Sequence, residues 1–196
     1  MFMHGGFMHI LFNMYALWAF GTPLERMWGR NKFLFFYISA GLGAALIHIG
    51  VNYYYYNAGM SALLDAGLSE SNILEIINGG QYNTEWYKIA GQSTIDNFLA
   101  AFNTPVVGAS GAIYGILVAY GMSYPESELF LIFLPVPIKA KFFIPVLIAL
   151  DLFSGVTGYS LFGQGIAHFA HVGGALFGFL MMWYWKKNQF NKNRWN

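Results

Sequence analysis

Four polar side chains in apolar segments have the residue types that acyl-transfer chemistry requires. Ser110 lies in the segment GASGAIYG, His171 lies in AHVGGALFG, and His9 and Asn13 lie one helical turn apart near the N-terminus. A serine hydroxyl becomes a nucleophile when a neighbouring base takes its proton, and histidine has a pKa that suits this role near neutral pH. The His9 imidazole, the Asn13 amide and the Ser110 backbone N–H could donate to the oxyanion that such a reaction forms.

The composition places these residues in a membrane protein. Of the 196 residues, 57% are hydrophobic and only 10% are charged, whereas an ordinary soluble domain has about 25% charged residues. The formal net charge of +1 does not indicate a nucleic-acid partner. The chain has no cysteine, which excludes disulfides, cysteine-ligated metals and a thiol nucleophile. The remaining class is an all-α polytopic membrane protein embedded in a lipid bilayer.

Charge-poor apolar stretches predict five membrane-spanning helices. A span needs about 20 mostly apolar residues. The predicted spans are centred near Leu11, Gly43, Leu117, Leu150 and Leu176. Residues 1–196 are predicted to form one membrane domain with a long outer loop at about residues 53–104. Within that loop, Asn72–Gly80 is predicted to form a short amphipathic helix.

The basic residues orient the spans. Nine of the ten lysine and arginine residues fall on one side of a five-span topology, and only Lys88 falls on the other. Because loops rich in these residues stay on the cytoplasmic side, the C-terminus is predicted to be cytoplasmic, in a bacterial plasma membrane. The first span would then begin outside, directly at Met1. We therefore expect a sixth span upstream of this sequence in the native protein, or a truncated gene model.

The same topology brings the reactive side chains to a similar depth below the outer face. At about 1.5 Å per residue, Ser110 is expected about 7 Å and His171 about 9 Å below the outer ends of their spans. Asp151 is expected midway along span four, too deep for a third catalytic residue, with a structural or gating role. A lone serine or histidine in a membrane helix is ordinarily a packing residue, and the agreement in depth argues against that interpretation.

Small residues allow the spans that carry Ser110 and His171 to pack closely. Glycines repeat at helical spacing on both spans, at Gly111, Gly115, Gly174 and Gly178. Such faces bring helices together in lipid, and this contact would place His171 beside Ser110. Small neighbours such as Gly108 would let a substrate backbone approach the serine. Tyr114, one turn below Ser110, is expected to stack on the His171 ring.

These motifs resemble those of the rhomboid intramembrane serine proteases. HGGFMHILFN at residues 4–13 is similar to the family's H-x4-H-x3-N segment, and GTPLERMWGRNKF at residues 21–33 fits its G-x3-E-x3-G-x3-F turn. GASG at residues 108–111 fits GxSG, and AHVGG at residues 170–174 fits AHxGG. The four motifs occur in the family's order, and the resemblance covers nearly the whole chain except the long outer loop.

The resemblance implies a rhomboid-like helical bundle and a serine endopeptidase that cleaves single-span membrane proteins near the outer membrane face. It implies Ser110 as the nucleophile and His171 as the base, in a dyad without an acid, with His9 and Asn13 in the oxyanion hole. His4 matches a residue that ties the outer loop to the top of its helix. The supporting positions are Tyr114, His4, Gly108, Gly111 and Gly174.

Other interpretations of these residues stay open. The main alternative is a catalytically inactive rhomboid-like protein that binds transmembrane helices, which loss of the serine or histidine would mark; both residues are present. A metal or haem site through His9, His168 and His171 lacks carboxylate or thiol support, so no metal or cofactor is predicted. The absence of an HExxH motif and the single aspartate within the spans disfavour zinc and two-aspartate proteases. A transporter is disfavoured, because the sequence has no obvious inverted repeat or charged path.

Overall fold

The computed structural model describes residues 4–103, 109–131, 134–159 and 167–192. The N-terminal stretch consists of α1 (Phe7–Ala16), a π-helical turn (Leu17–Gly21) and α2 (Thr22–Trp28), which follow one another without a break. Gly29 ends α2 with a positive φ of 79°, which only glycine adopts readily. The long helix α3 (Arg30–Asp65) follows directly.

Three shorter helices come next: α4 (Glu70–Asn78), α5 (Trp86–Ala90) and α6 (Gln92–Asn103). The chain continues as α7 (Ser110–Ser123), an antiparallel hairpin of β1 (Glu128–Leu131) and β2 (Leu134–Lys139), α8 (Ala140–Thr157) and α9 (His168–Lys192). In the hairpin, Glu128 pairs with Lys139. Helix α8 ends at Thr157 because Gly158 adopts a left-handed conformation with φ of 73°.

The predicted all-α membrane fold class is confirmed. The five predicted span centres fall in α1, α3, α7, α8 and α9, in that order. Helices α3 and α8 are each long and apolar enough to cross a membrane, and α7 is a shorter apolar helix. Large apolar side chains also point away from the protein, with Trp18, Leu46 and Val156 exposed by 67%, 65% and 68%. Such a surface suits lipid contact, because hydrocarbon does not penalise exposed apolar groups.

The segment predicted as an outer loop is mostly helical. Helix α3 continues to Asp65 rather than ending near Tyr53, because the intervening run contains no proline to end it. The short helix predicted at Asn72–Gly80 is confirmed as α4, which buries Ile73 and Ile77 one turn apart. The last residue of the predicted loop, at position 104, lies outside the described residues.

The chain divides into two compact units. The smaller unit, residues 49–105, has its own apolar cluster, which includes Trp86, Phe98 and Ile95. The larger unit, residues 1–48 and 106–196, is built around a second cluster that includes Phe36 and Ile116. The smaller unit contains the segment that was predicted as the long outer loop, at about residues 53–104.

Helices α7 and α9 pack at backbone distance within the larger unit. A Cβ atom placed on Gly174 would overlap the carbonyl oxygen of Gly111, and one placed on Gly178 would lie 2.6 Å from the Cα of Gly115. On the α3 side, a Cβ on Gly111 would lie 2.6 Å from the Cβ of Ala44. The predicted glycine faces therefore meet, and no larger residue fits between the two helices.

An exposed ion-pair cluster links the start of the hairpin to the start of α8. The Nζ atoms of Lys139 and Lys141 lie 2.8 Å and 2.6 Å from the carboxylate oxygens of Glu126. The hydrogen bonds that these two lysines donate favour the charged carboxylate and lower the pKa of Glu126 to about 2. The cluster lies between α7 and α8, on the side predicted to be cytoplasmic.

Candidate active site

Ser110 and His171 meet where α7 contacts α9. The Oγ of Ser110 lies 2.8 Å from the Nε2 of His171, which is hydrogen-bonding distance. Ser110 is the first residue of α7, and His171 lies about one turn into α9. The backbone contact between Gly111 and Gly174 brings the two helices close enough for these side chains to touch. A serine hydroxyl hydrogen-bonded to an imidazole nitrogen is the arrangement that proton transfer from the serine requires.

Both residues lie close to the starts of their helices, because α7 begins at Ser110 and α9 begins at His168. Pro105 and Gly165, from which the depths of these residues were counted in the sequence, lie outside the described residues. Gly108, a predicted supporting residue, lies outside the described residues. The Ile113 N–H donates to the Ala109 carbonyl at 3.0 Å. The N–H groups before it, including that of Ser110, belong to the first turn, where a helix offers no acceptor.

Tyr114 stacks on the His171 ring. The ring centroids are 4.2 Å apart and the ring planes differ by 9°. The Tyr114 hydroxyl donates a hydrogen bond to Oδ2 of Asp151. Tyr114 therefore restricts the orientation of the imidazole and also binds the carboxylate beside it.

Asp151 belongs to the site, which corrects the prediction that it lies too deep. Both carboxylate oxygens lie 3.3 Å from Nδ1 of His171, and the Asp151 side chain is 3% exposed. Helix α8 has 18 residues, so its midpoint is only about 13 Å from its C-terminal end at 1.5 Å per residue. Asp151 lies just past that midpoint, and its side chain covers the remaining distance to His171.

His168 is a second partner of Asp151. Its Nδ1 lies 2.5 Å from Oδ1 of Asp151, and it lies one turn before His171 on the same helix. The sequence analysis assigned His168 no role, although a signal was present. Asp151 is the only aspartate in the predicted spans, a buried charge needs partners, and two histidines at i, i+3 spacing share a face that can supply them.

His9 and Asn13 lie on α1, which contacts α7, but in the part of the chain that the structure describes neither hydrogen bonds with Ser110 or His171. The Asn13 side-chain amide donates to the His9 carbonyl at 2.7 Å, and Asn13 is buried. The Nδ1 of His9 accepts from the Gly5 N–H at 3.3 Å. The structure thus places both residues beside the helix of the nucleophile candidate, with these bonds made inside their own segment.

His4 contacts His9 edge to face, with ring centroids 5.3 Å apart. Both ring nitrogens of His4 are buried and have no hydrogen-bond partner among the described residues. The role that the resemblance implies for His4 stays a prediction.

Five side chains form one hydrogen-bonded chain at the α7, α8 and α9 contact. Its members are Ser110, His171, Asp151, His168 and Tyr114. Across residues 4–103, 109–131, 134–159 and 167–192, no group of three or more histidine, aspartate or glutamate side chains is arranged to hold a metal ion. The arrangement is suited to moving a proton between Ser110 and His171.

The chain matches a known family and several curated proteins. The Rhomboid domain family matches residues 1–90 and 87–188. The presenilin-associated rhomboid-like protein, mitochondrial, of Rattus norvegicus is 29% identical over 184 residues, which cover 93% of this chain and 35% of that protein. Rhomboid protein 1, mitochondrial, of Saccharomyces cerevisiae is 26% identical over 187 residues, which cover 95% of this chain and 40% of that protein.

A shorter match joins the chain to a bacterial protein. Rhomboid protease GluP of Bacillus subtilis is 43% identical over 44 residues, which cover 22% of this chain and 9% of that protein. No solved structure matches the chain.

These matches bear on location and family. The chain spans about a third of the length of the curated rhomboid-like relatives that match most of it. The predicted bacterial plasma membrane is not supported, because the relatives that cover more than nine-tenths of the chain are named as mitochondrial proteins. The apolar helices and the family match over nearly all of the sequence show that this chain belongs to the rhomboid family of multi-pass membrane proteins.

Proposed function

We propose that this protein is an intramembrane serine endopeptidase that cleaves single-span membrane proteins. The observation that carries the proposal is the 2.8 Å contact between Ser110 Oγ and His171 Nε2 inside a bundle of apolar helices. Family membership supports it, as does the similarity to the Bacillus subtilis protein named rhomboid protease GluP.

The reaction begins at Ser110. Its Oγ attacks the carbonyl carbon of the scissile peptide bond while His171 Nε2 takes the hydroxyl proton. The tetrahedral intermediate collapses when His171 returns this proton to the leaving nitrogen, which releases the amine product and leaves an ester on Ser110. A water molecule then attacks the ester while His171 takes its proton. His171 returns this proton to the departing Oγ of Ser110, which releases the acid product and restores the free serine.

The negative oxygen of each tetrahedral intermediate needs hydrogen-bond donors. The first-turn N–H of Ser110 is one candidate. His9 is a second, because its Nδ1 accepts from Gly5, and a neutral imidazole in that state carries its proton on Nε2. Asn13 is a third, since a side-chain amide has two N–H groups and the His9 carbonyl accepts from the Asn13 nitrogen once.

The proposed cleavage position follows from the helix ends. Ser110 and His168 begin α7 and α9, and Asp151 lies in the second half of α8, so the site lies near the membrane face where α7 and α9 begin. The distribution of basic residues makes this the outer face. Substrates are therefore proposed to be cut at or near that face, where water reaches the acyl-enzyme.

The test is cleavage in lipid vesicles by the full protein. A single-span reporter is incubated with wild type, Ser110→Ala, His171→Ala and the double variant, with Ser154→Ala as a matched serine control. We expect each site variant to lower turnover by at least about 1,000-fold, and the double variant to be no worse, because the two residues act as one unit. Cleavage by folded Ser110→Ala at the wild-type rate would reject the nucleophile.

The alternative is a rhomboid-like protein that binds transmembrane helices without cutting them. In that case the wild type would bind the reporter in the membrane and leave it intact, and Ser110→Ala would bind equally well. Products mapped to the opposite end of the reporter span would instead reject the proposed orientation.

A further inference from the structure

We propose that Asp151 is a positioning residue that holds His171 with its proton on Nδ1. This inference rests on the proposed serine endopeptidase function and extends it. It differs from the dyad without an acid that the family resemblance implies, because a carboxylate here lies behind the imidazole.

The two ring nitrogens of His171 have different partners. Nδ1 lies 3.3 Å from each carboxylate oxygen of Asp151, and Nε2 lies 2.8 Å from Ser110 Oγ. An ionised carboxylate can only accept hydrogen bonds, so a contact with it places a hydrogen on Nδ1. A neutral imidazole has one N–H, which leaves a lone pair on Nε2 directed at the serine hydroxyl. This is the tautomer that a general base requires.

The other partners of Asp151 fix its carboxylate in place. The Tyr114 hydroxyl donates to Oδ2, and His168 Nδ1 lies 2.5 Å from Oδ1. Because the side chain is 3% exposed, an ionised carboxylate needs such donors to remain charged inside the bundle. Both oxygens are therefore engaged, and the carboxylate cannot rotate away from His171 without losing a hydrogen bond.

The same contacts distinguish positioning from simple packing. Tyr114 stacks on the His171 ring and also binds the carboxylate behind it, so one residue sets both the plane of the ring and the partner of Nδ1. When His171 takes the proton of Ser110, the imidazolium presents an N–H to a negative group that is already in place. A purely structural Asp151 would be satisfied by His168 and Tyr114 and would not need to face His171.

The kinetic test uses Asp151→Asn in the full protein in lipid vesicles. The amide keeps the shape of the carboxylate but can donate to Nδ1, which favours the wrong tautomer. We expect kcat to fall by about 100-fold or more while KM stays within about twofold, as expected for loss of tautomer control. Asp151→Glu should recover part of kcat, because it restores a carboxylate.

The matched control is Ser154→Ala. Ser154 lies one turn after Asp151 on α8, is 2% exposed, and has a hydroxyl with no hydrogen-bond partner among the described residues. It should retain wild-type kcat. A folded Asp151→Asn variant with kcat within about threefold of wild type would overturn the positioning role.

A second measurement does not depend on whether Asp151→Asn folds. Nitrogen-15 NMR of the wild-type protein, with labelled histidine, reports which ring nitrogen of His171 carries the proton, and the signal is assigned by its loss in His171→Gln. We expect protonated Nδ1 and unprotonated Nε2 in the neutral ring. A neutral ring with its proton on Nε2 would contradict the proposal even if Asp151→Asn fails to fold.

These outcomes separate the two proposals. If the wild type cleaves nothing, both are overturned. If the wild type cleaves, Ser110→Ala does not, and Asp151→Asn cleaves normally, only the role of Asp151 is overturned.

Discussion

Two carboxylates of this protein each hold two basic side chains, but in opposite surroundings. Asp151 contacts His168 and His171 at a point where its side chain is 3% exposed. Glu126 contacts Lys139 and Lys141 where its side chain is 60% exposed. From the residue types alone, the Glu126 cluster would be expected to contribute more to stability, because lysine is always charged near neutral pH and histidine is not.

Burial makes the Asp151 cluster the stronger contributor to stability. An exposed ion pair gains little, because water and salt screen the charges and long side chains lose conformational freedom. A buried carboxylate depends on each of its donors, since nothing else replaces the lost solvation. The exposed Glu126 cluster therefore contributes little to attaching the hairpin to α8. The buried Asp151 cluster, in contrast, fixes the relative positions of the side chains that contact it. The predictions below probe this difference, from the largest expected effect on stability to the smallest.

Asp151→Ala is expected to be the most destabilising of these changes. It leaves His168, His171 and the Tyr114 hydroxyl without their shared acceptor, and breaking a buried pair typically costs about 3–5 kcal/mol. Unfolding in detergent micelles, compared with wild type, measures this loss. A stability equal to that of wild type would mean that the buried cluster does not hold the helices.

Gly174→Ala tests whether the buried site depends on the approach of α7 to α9. Its new Cβ would overlap the Gly111 carbonyl oxygen, and overpacking of this kind costs about 1–3 kcal/mol. Reporter cleavage should also fall, because the helices that carry Ser110 and His171 must separate. The matched control is Gly50→Ala, where nothing lies within 4 Å of the new Cβ. Equal stability and activity in the two variants would contradict the proposed role of the glycine contact.

Glu126→Gln should have the smallest effect. The pKa of Glu126 is lowered from 4.5 to about 2, so its ion pairs stabilise the fold above its ordinary pKa, and this contribution disappears as the pH falls from about 4.5 through about 2. Because the group is exposed, we expect a small difference in Tm from wild type at pH 7, which shrinks in added salt. Thermal unfolding of the wild type and the variant at pH 7 and at about pH 2 measures this difference in Tm. A loss at pH 7 as large as that of Asp151→Ala would reverse the comparison.

Much of the fold and part of the site could be predicted from the sequence. The span centres at Gly43 and Leu176 lie inside helices because apolar runs of this length have few other uses. The meeting of Ser110 and His171 followed from glycine spacing, which is a local pattern that lipid packing makes informative.

The contacts of Asp151 could not be predicted in the same way. They depend on where α8, α7 and α9 begin relative to one another, and helix ends are poorly defined by apolar composition alone. Asp151 was expected to lie too deep because it is near the middle of its span, whereas α8 has only 18 residues and its midpoint is about 13 Å from its C-terminal end. The packing of the smaller unit was not predicted either. Its apolar cluster combines side chains from several helices, and no single long apolar run in the sequence indicates it.

Covalent labelling tests the central claim most directly. The full protein in lipid vesicles is exposed to a fluorophosphonate, which reacts with an activated serine, and the modified residue is identified by peptide mapping. The account predicts an adduct on Ser110 that blocks reporter cleavage and that does not form at the same exposure in His171→Ala. An adduct on another serine, or one on Ser110 that forms equally fast without His171, would contradict it.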